Sequence, residues 1–394
     1  MTQRSHSAAA QALGYLFQSQ WPLVELVRRA RERPDFELAL EMYDDVSWEE
    51  GGAPKELLQL KHHVGAVRPL GDKDTDLWRT IAVWMDLHQP GDVDGPLLTL
   101  VTTQVAPAGS ACAALRPGTG DRVEAQRLLE DAAAESDAVA TAPVRKRFLG
   151  LSPPERSIFV SRMRVLDSSA QIQDLDDQLR AELRLVLPPN NEDLYMDRLW
   201  AWWYRVAVSL LRREAATISG LEVVAKVADL RDQFSTGTLP TLVERDDFDP
   251  ETEQEYSGRV FVEQLRWISL NDVLLQKAVV DYYRAYTQSA RWIENHLVGL
   301  SELDDFEDNL KDEWERAYAF MRLRLPADAE DEDVARAGQD LLRMVTEQSQ
   351  VRLRQYSEAF FTRGKYHELA DDGRVGWHAE FSARLEALLL GQAS

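Results

Sequence analysis

Four polar side chains within residues 44–61 have the types and the spacing for phosphodiester chemistry. Asp44 and Asp45 end one apolar, β-prone segment, and Gln59 and Lys61 lie two residues apart in the next. Residues two apart on a strand share a face, so an acid of the first segment can lie close to both Gln59 and Lys61. A carboxylate binds Mg²⁺, amide or carbonyl oxygens complete its coordination, and a lysine offsets the charge that develops on the attacked phosphate.

The same residues also fit a half-buried hairpin whose charged side chains are solvated at its edge. A zinc site is disfavoured, because the adjacent His62 and His63 face opposite sides of a strand and Cys112 has no partner cysteine. Serine-hydrolase chemistry lacks a G-x-S-x-G block. The choice between these interpretations depends on the elements that surround the four residues.

Helices and strands alternate around these residues. Helical spacing of apolar residues predicts a long first helix, which carries Gln18 as a polar residue near its apolar face. β-prone segments bounded by glycine and proline predict the strands, with a glycine-containing loop over residues 47–54. The predicted elements are, in order, helix 7–33, strands 36–46 and 55–63, a helix within 68–89, and strands 95–106 and 156–166. This order is typical of a small α/β sandwich.

Beyond residue 172 the periodicity of the chain is helical. We therefore predict an α+β protein, in which an N-terminal α/β domain precedes a mostly α-helical C-terminal half. The acidic linker in this scheme holds seven acids between Glu244 and Glu255. The predicted regions are the α/β domain at 1–166, a helical connecting region at 167–235, the acidic linker at 236–257 and a helical domain at 258–394.

Composition limits the function classes. The 394 residues carry a net charge of −22, which argues against a passive nucleic-acid coat protein. One cysteine fits a reducing cytoplasm, and the chain lacks an apolar run long enough to span a membrane. No Walker A loop is present, so the chain is not itself an ATPase. The most basic neighbourhood is either a DNA-facing patch or a solvated rim, and it contains Arg145, Lys146, Arg147, Arg162 and Arg164.

Six sequence blocks in about the first 230 residues resemble one bacterial nuclease family. The blocks are Gly14-Tyr15 with Gln18, LEMYDDV at 40–46, LQLKHH at 58–63, DLWRT at 76–80 with Trp84, LVTTQVA at 100–106 and RLWAWWYRV at 198–206. Together they resemble the double-stranded DNA endonucleases associated with CD-NTase antiphage systems. That resemblance implies a restriction-endonuclease-like nuclease domain of the PD-(D/E)xK class.

Five further blocks resemble a different family in the C-terminal half. The blocks are VFVEQLRWI at 260–268, VVDYYRAYTQSARWIEN at 279–295, LKDEWERAY at 310–318, TRGKYHELAD at 362–371 and VGWHAEF at 375–381. They resemble the C-terminal domain of ABC-three-component antiphage systems. A nuclease joined to this domain is similar to the LmuA-like effector subunits of Lamassu defence.

The nuclease resemblance assigns roles to the polar residues. It places the acid of the motif on Asp44 or Asp45 and the remainder on Gln59 and Lys61, so Asp45, Gln59 and Lys61 are the expected catalytic residues. Gln59 replaces the more common glutamate and supplies no charge, which makes Glu41 a candidate metal ligand beside Asp44 and Asp45. Strict strand alternation puts Glu41 and Asp45 on one face and favours Asp45, whereas a bulge would reverse that choice.

The resemblances also imply cofactors and partners. Mg²⁺ or Mn²⁺ is the expected cofactor, with Gln18 as an accessory residue at the site. Double-stranded DNA is the expected substrate, and the expected partners are an SMC-like ATPase and a small third subunit. These are expected to hold a cytoplasmic effector inactive until release and self-association into a homo-oligomer. Two alternatives stay open: a nuclease gated by a cyclic oligonucleotide, and a catalytically inactive adaptor subunit.

Overall fold

The protein folds into two compact units, Met1–Arg231 and Asp232–Ser394, in a computed structural model. The structure describes residues 3–62, 68–235, 237–244, 256, 258–326 and 328–392. The first unit combines helices with a mixed sheet, and the second is helical. The predicted α+β class is therefore confirmed. Most of the predicted acidic linker, including residues 245–255, lies outside the described residues, as does His63.

The N-terminal unit contains a six-stranded sheet in the order β5-β4-β3-β2-β1-β6. Its strands are β1 (Glu37–Leu40), β2 (Val46–Glu50), β3 (Ala53–Lys61), β4 (Leu97–Thr102), β5 (Met163–Leu166) and β6 (Ile218–Ser219). β1, β2 and β3 pair antiparallel, whereas β3, β4 and β5 pair parallel. β6, which pairs antiparallel with β1, comes from the predicted helical connecting region.

Nine helices accompany this sheet in the described part of the unit. They are α1 (Gln3–Arg29), α2 (Thr75–Leu87), α3 (Ala111–Ala114), α4 (Arg122–Glu135), α5 (Ala142–Leu149), α6 (Pro153–Arg162), α7 (Leu175–Leu183), α8 (Glu192–Leu211) and α9 (Gly220–Gln233). The apolar face of α2 is buried against β3 and β4, where Trp78, Ile81 and Trp84 join a core that includes Leu57 and Leu100.

The segment predicted as a loop at 47–54 is instead the tight hairpin β2–β3. Gly51 and Gly52 have φ angles of 62° and 77°, which suit the two central residues of a type I′ turn. Trp48 in β2 is fully buried, and the Arg29 guanidinium of α1 lies 4.4 Å from the centre of its ring. Arg29 also forms an ion pair of 2.7 Å with Glu56 in β3. These contacts fix α1 on the sheet.

The strand predicted at 156–166 is wrong over its first half. Helix α6 occupies Pro153–Arg162, and the strand contains only Met163–Leu166. Ser152 and Glu155 form a capping box, and Pro153 occupies the first helical turn, where its missing N–H costs nothing. These start signals outweigh the alternation of apolar residues that suggested a strand.

The C-terminal unit is helical in its described residues, apart from an isolated bridge between Leu353 and Tyr356. Its helices are α10 (Val260–Trp267), α11 (Asp272–Glu294), α12 (Leu300–Arg324), α13 (Asp331–Gln348), α14 (Ala359–Asp371) and α15 (Phe381–Gln392). α14 is the central element, because nine of its thirteen residues are buried. None of the helices among the described residues of the chain is long and apolar enough to cross a membrane.

Candidate functional site

The register of the sheet brings the acidic loop beside the end of β3. Leu40 pairs with Val46, so residues 41–45 form the connection between β1 and β2, and Glu41 N–H donates to the Asp45 carbonyl at 3.1 Å. Val46 pairs in turn with Leu58 of β3. Continuing this antiparallel register by one residue sets Asp45 opposite Gln59. The predicted convergence of the two segments is therefore present.

Asp45 is held by three donors from two elements. Its Oδ2 accepts the Leu60 backbone N–H at 2.7 Å and the Gln18 amide at 2.9 Å, and a hydrogen bond with Gln59 also acts on the carboxyl. Burial raises the pKa of Asp45, although these donors and the charge of Lys61 oppose the rise. Gln18 of α1 thus lies at the acidic cluster, where the sequence analysis placed it.

Asp44 lies deeper than Asp45. Its side chain is only 7% exposed, and its two oxygens accept hydrogen bonds from the Gln59 amide, the Asp45 N–H and the indole N–H of Trp84. Burial raises the pKa of Asp44 to about 6, and the neighbouring charge of Asp45 adds to this rise, whereas the hydrogen bond from Gln59 opposes it. Asp44 therefore accepts hydrogen bonds from the protein on both of its carboxyl oxygens.

Gln59 links the acids to Lys61. Its amide nitrogen donates to Asp44, and its Oε1 accepts from the Lys61 ammonium at 3.0 Å. Lys61 and Gln59 thus share a face of β3, as their spacing predicts. The ammonium group is half-buried and lowers the pKa of Asp45 by its charge.

Glu41 is the exposed member of the acidic cluster. It takes a left-handed backbone conformation, with φ of 52°, at the start of the β1–β2 connection. Partial burial and the charge of Asp45 raise the pKa of Glu41, while Arg213 and Lys61 lower it. Since residues 41–45 are not a strand, the alternation argument that paired Glu41 with Asp45 is wrong. Exposure, rather than alternation, separates the half-buried Asp45 from the buried Asp44.

The carboxylates of the cluster are ligands of the type that hard divalent cations take in proteins. Within the described residues, no group of three or more His, Cys, Asp or Glu is arranged to hold a metal. Mg²⁺, however, is commonly bound by one or two carboxylates together with waters and substrate oxygens. Burial raises the pKa of both Asp44 and Asp45, and a bound cation relieves that unfavourable charge. Asp45, with Asp44 and Glu41 nearby, could therefore hold Mg²⁺.

Two of the five cations in the basic neighbourhood have structural roles, whereas Lys146 and Arg147 are exposed, as a solvated rim predicts. Arg145 is buried and donates to the carbonyls of Ala133, Ser136 and Ala138, so it closes the turn after α4. Arg162 is also buried and donates to the carbonyl of Gln89. Neither guanidinium is available to DNA or lies on a solvated rim.

Three groups at the cluster escaped the sequence analysis. Arg213 lies close to Glu41, and its guanidinium donates to the Glu41 carbonyl at 2.7 Å across 172 residues of sequence. The Trp84 indole and the Leu60 amide bind the two aspartates. No local pattern reveals such long-range contacts.

His62 has a structural contact at the end of β3. Its Nε2 accepts the Ile172 backbone N–H at 3.3 Å, and its ring lies 4.9 Å from that of Phe17. A nitrogen that accepts a backbone hydrogen bond has no free lone pair for a metal. The prediction against a zinc site stays a prediction.

One family match bears on the chain. Residues 261–385 match the C-terminal domain 7 of the ABC-three component (ABC-3C) systems. The matched segment extends from α10 into α15 and lies wholly within the helical C-terminal unit. It confirms the resemblance of the C-terminal blocks to ABC-three-component systems. No curated protein matches the chain.

Proposed function

We propose that this component of an ABC-three-component antiphage system is its effector, a Mg²⁺- or Mn²⁺-dependent endonuclease that hydrolyses double-stranded DNA. The observation that carries the proposal is the cluster at the end of β3. Two adjacent carboxylates, an amide and a lysine there are linked by hydrogen bonds. Residues from the β1–β2 connection, β3, α1 and α2 contribute to the cluster. A hairpin with solvated charges at its edge would not need the contacts from the two helices.

The residues of the cluster have separate tasks in this proposal. Asp45 is the main metal ligand, with Asp44 and Glu41 adding negative charge around it. When bound, Mg²⁺ polarises the attacked phosphate and lowers the pKa of a coordinated water. Gln18 and the Leu60 amide hold the Asp45 carboxylate in place, and Trp84 holds Asp44.

Lys61 is the proposed electrostatic catalyst. Its ammonium group is anchored by the Gln59 amide oxygen and, among the described residues, forms no direct salt bridge with a carboxylate. The positive charge therefore stays available for the negative charge that develops on the phosphate in the transition state. Gln59 in this view fixes the position of Lys61 and shields Asp44 from it.

Plasmid cleavage by the Lys61→Ala variant tests the site. In the activated assembly with Mg²⁺ or Mn²⁺, we expect cleavage to fall by about 10²-fold or more, the loss typical of removing one transition-state donor. The matched control is Lys55→Ala, since Lys55 lies on the same strand with a half-exposed side chain that reaches only Glu50 at 3.9 Å. EDTA should abolish cleavage by the wild type.

Circular dichroism of both variants separates a lost site from a lost fold. A folded Lys61→Ala protein that cuts at the wild-type rate would place the chemistry elsewhere. Equal losses in Lys61→Ala and Lys55→Ala would indicate a general electrostatic effect of the strand instead of a specific site.

We also propose that an SMC-like ATPase and a small accessory subunit hold the effector inactive, and that release allows it to self-associate. The net charge of −22 gives a single chain little attraction for DNA. Self-association sets several sites along one duplex and gains avidity without new contacts. Monomer and oligomer fractions from size-exclusion chromatography should therefore differ in specific cleavage activity, with the oligomer at least several-fold higher. Equal activities would contradict this mode of activation.

A further inference from the structure

A large cleft opens in the C-terminal unit. Its volume is about 1160 Å³, slightly above the range of roughly 300–1000 Å³ that is usual for small-molecule sites. The walls come from the start of α11 with the preceding turn, from α13 and from α14. All of its lining residues, from Ser269 to His367, lie inside the segment that matches the ABC-three-component domain.

Two cations on one wall of the cleft lack acidic partners. Lys277 and Arg284 lie seven residues apart on α11, about 10 Å along the helix axis. Among the described residues, neither side chain makes a hydrogen bond or an ion pair, and the Arg284 Nε is buried. The Arg284 guanidinium stacks 3.7 Å from the centre of the Phe360 ring, which fixes its position.

The acids of the cleft are largely engaged by other cations. Arg363 pairs with Asp281 at 2.5 Å, and Arg343 lies 3.4 Å from Asp340. Glu347 is exposed on α13. Of the four cations that line the cleft, Lys277 and Arg284 are the two without an ion pair among the described residues.

A buried histidine adds an unused polar group to the same cleft. His367 is only 4% exposed and lines the cleft from α14, and its Nδ1 has no hydrogen-bond partner. Its ring is held between Phe261 and Trp377, whose ring centres lie 5.5 and 6.3 Å away. An unsatisfied buried polar atom is unfavourable, and a ligand group that reaches it would remove that cost.

The mouth of the cleft combines an apolar wall with a helix N-terminus. Val273 and Leu274 are 62% and 44% exposed there, although both are large apolar side chains. α11 begins at Asp272, directly after its N-cap residue Asn271, and Asn271 also lines the cleft. The positive end of the helix dipole is therefore at the mouth.

We infer that this cleft binds an organic phosphate of about nucleotide size. Lys277 and Arg284 would bind its phosphate oxygens, and the walls at Val273 and Leu274 would contact its apolar part. An acidic helix from another protein could cover the cations, but it would lie across the rim and leave the buried Nδ1 of His367 without a partner. The inference is independent of the nuclease site, because it concerns the C-terminal unit alone.

Isothermal titration of the full chain with ATP tests the cleft. We expect saturable binding at one site per chain, with EDTA present to remove metal and about 150 mM salt to screen weak surface attraction. Lys277→Glu and Arg284→Met should each weaken binding by at least tenfold, and the methionine keeps the packing on Phe360. The matched control is Lys311→Glu on α12, outside the cleft, which should leave the affinity unchanged.

Two further probes identify the ligand class. Inorganic phosphate should bind at least tenfold more weakly than ATP, because it cannot use the apolar wall. An oligoglutamate peptide that binds more tightly than ATP would assign the cleft to an acidic polypeptide and overturn the inference. Absence of saturable ATP binding, or an unchanged affinity in a folded Lys277→Glu protein, would overturn it as well.

Discussion

Each unit of this protein contains a lysine among acids, and the two lysines differ in how their charge is balanced. Lys61, at the end of β3, is half-buried and donates to the neutral Gln59 amide. Lys365, in α14, is 3% exposed and forms ion pairs with Glu307 at 2.6 Å and Glu368 at 2.7 Å. In the first cluster the lysine is therefore bound by a neutral amide, and in the second it is bound directly by two carboxylates.

The charged groups around each lysine and the pKa values there show how the two clusters differ. Burial opposes the charge of Lys365, but Glu368 and Glu307 outweigh it and raise the pKa of Lys365. Arg374 adds a second cation on Glu307. Burial raises the pKa of Asp44 and Asp45, and it also raises the pKa of Glu368 to about 7, so the two clusters differ in the partner of the lysine and not in the pKa of the acids. A lysine paired directly with two carboxylates stabilises a fold, whereas a lysine held by a neutral amide keeps its charge available for an external group.

The largest expected difference between the two clusters is in stability. Lys365→Met should lower the free energy of unfolding by about 3–5 kcal/mol, because it leaves the half-buried Glu368 carboxylate without its cation and Glu307 with Arg374 alone. Lys61→Met should change it by less than about 1 kcal/mol, since Lys61 lies at an open site. Urea unfolding of the full chain, followed by circular dichroism, measures both.

A second substitution checks the cause of the loss at Lys365. Adding Glu368→Gln to Lys365→Met removes one of the stranded charges and should recover part of the stability. If Lys61→Met costs as much as Lys365→Met, the contrast between a structural and a functional lysine is wrong.

The next effect is a pH dependence from Asp44. Its pKa of about 6 in the folded chain exceeds the ordinary 3.8, so the folded state binds the proton more tightly. Between pH 3.8 and 6 stability therefore falls as pH rises, and the accumulated cost above pH 6 is about 2–3 kcal/mol. Urea unfolding in EDTA at pH 5 and 7.5, compared between wild type and Asp44→Asn, isolates this contribution.

Between pH 5 and pH 7.5, the Asp44→Asn variant should lose less stability than the wild type, or gain more. The difference between the two slopes is the measured quantity, because other carboxyls titrate in both proteins. Identical slopes would show that Asp44 titrates near its ordinary pKa, and burial of its charge would then cost little stability.

The smallest expected effect comes from Gln18. Gln18→Ala removes one donor to Asp45 that is backed by the Leu60 amide, so cleavage should fall by only about fivefold, or roughly 1 kcal/mol. Gln11→Ala is the matched control, since Gln11 lies two turns earlier on α1 and bonds only to exposed Tyr15. If Gln11→Ala lowers cleavage more than Gln18→Ala does, the proposed role of Gln18 at the cluster is wrong.

The sequence by itself determined the α+β class, the first helix, the strand at Leu97–Thr102 and the shared face of Gln59 and Lys61. Each of these follows from local periodicity, which a chain expresses before it packs. The C-terminal blocks also identified the ABC-three-component domain.

Only the tertiary structure decided which acids are accessible and which cations are free. Strand β2 depends on the burial of Trp48 beneath the Arg29 guanidinium. Helix α6 depends on a capping box, which outweighs the alternation of apolar residues that predicted a strand there. Asp44 is distinguished from Asp45 by Trp84, a residue 40 positions away. Burial and long-range hydrogen bonds set these outcomes, and both arise only when distant segments pack together.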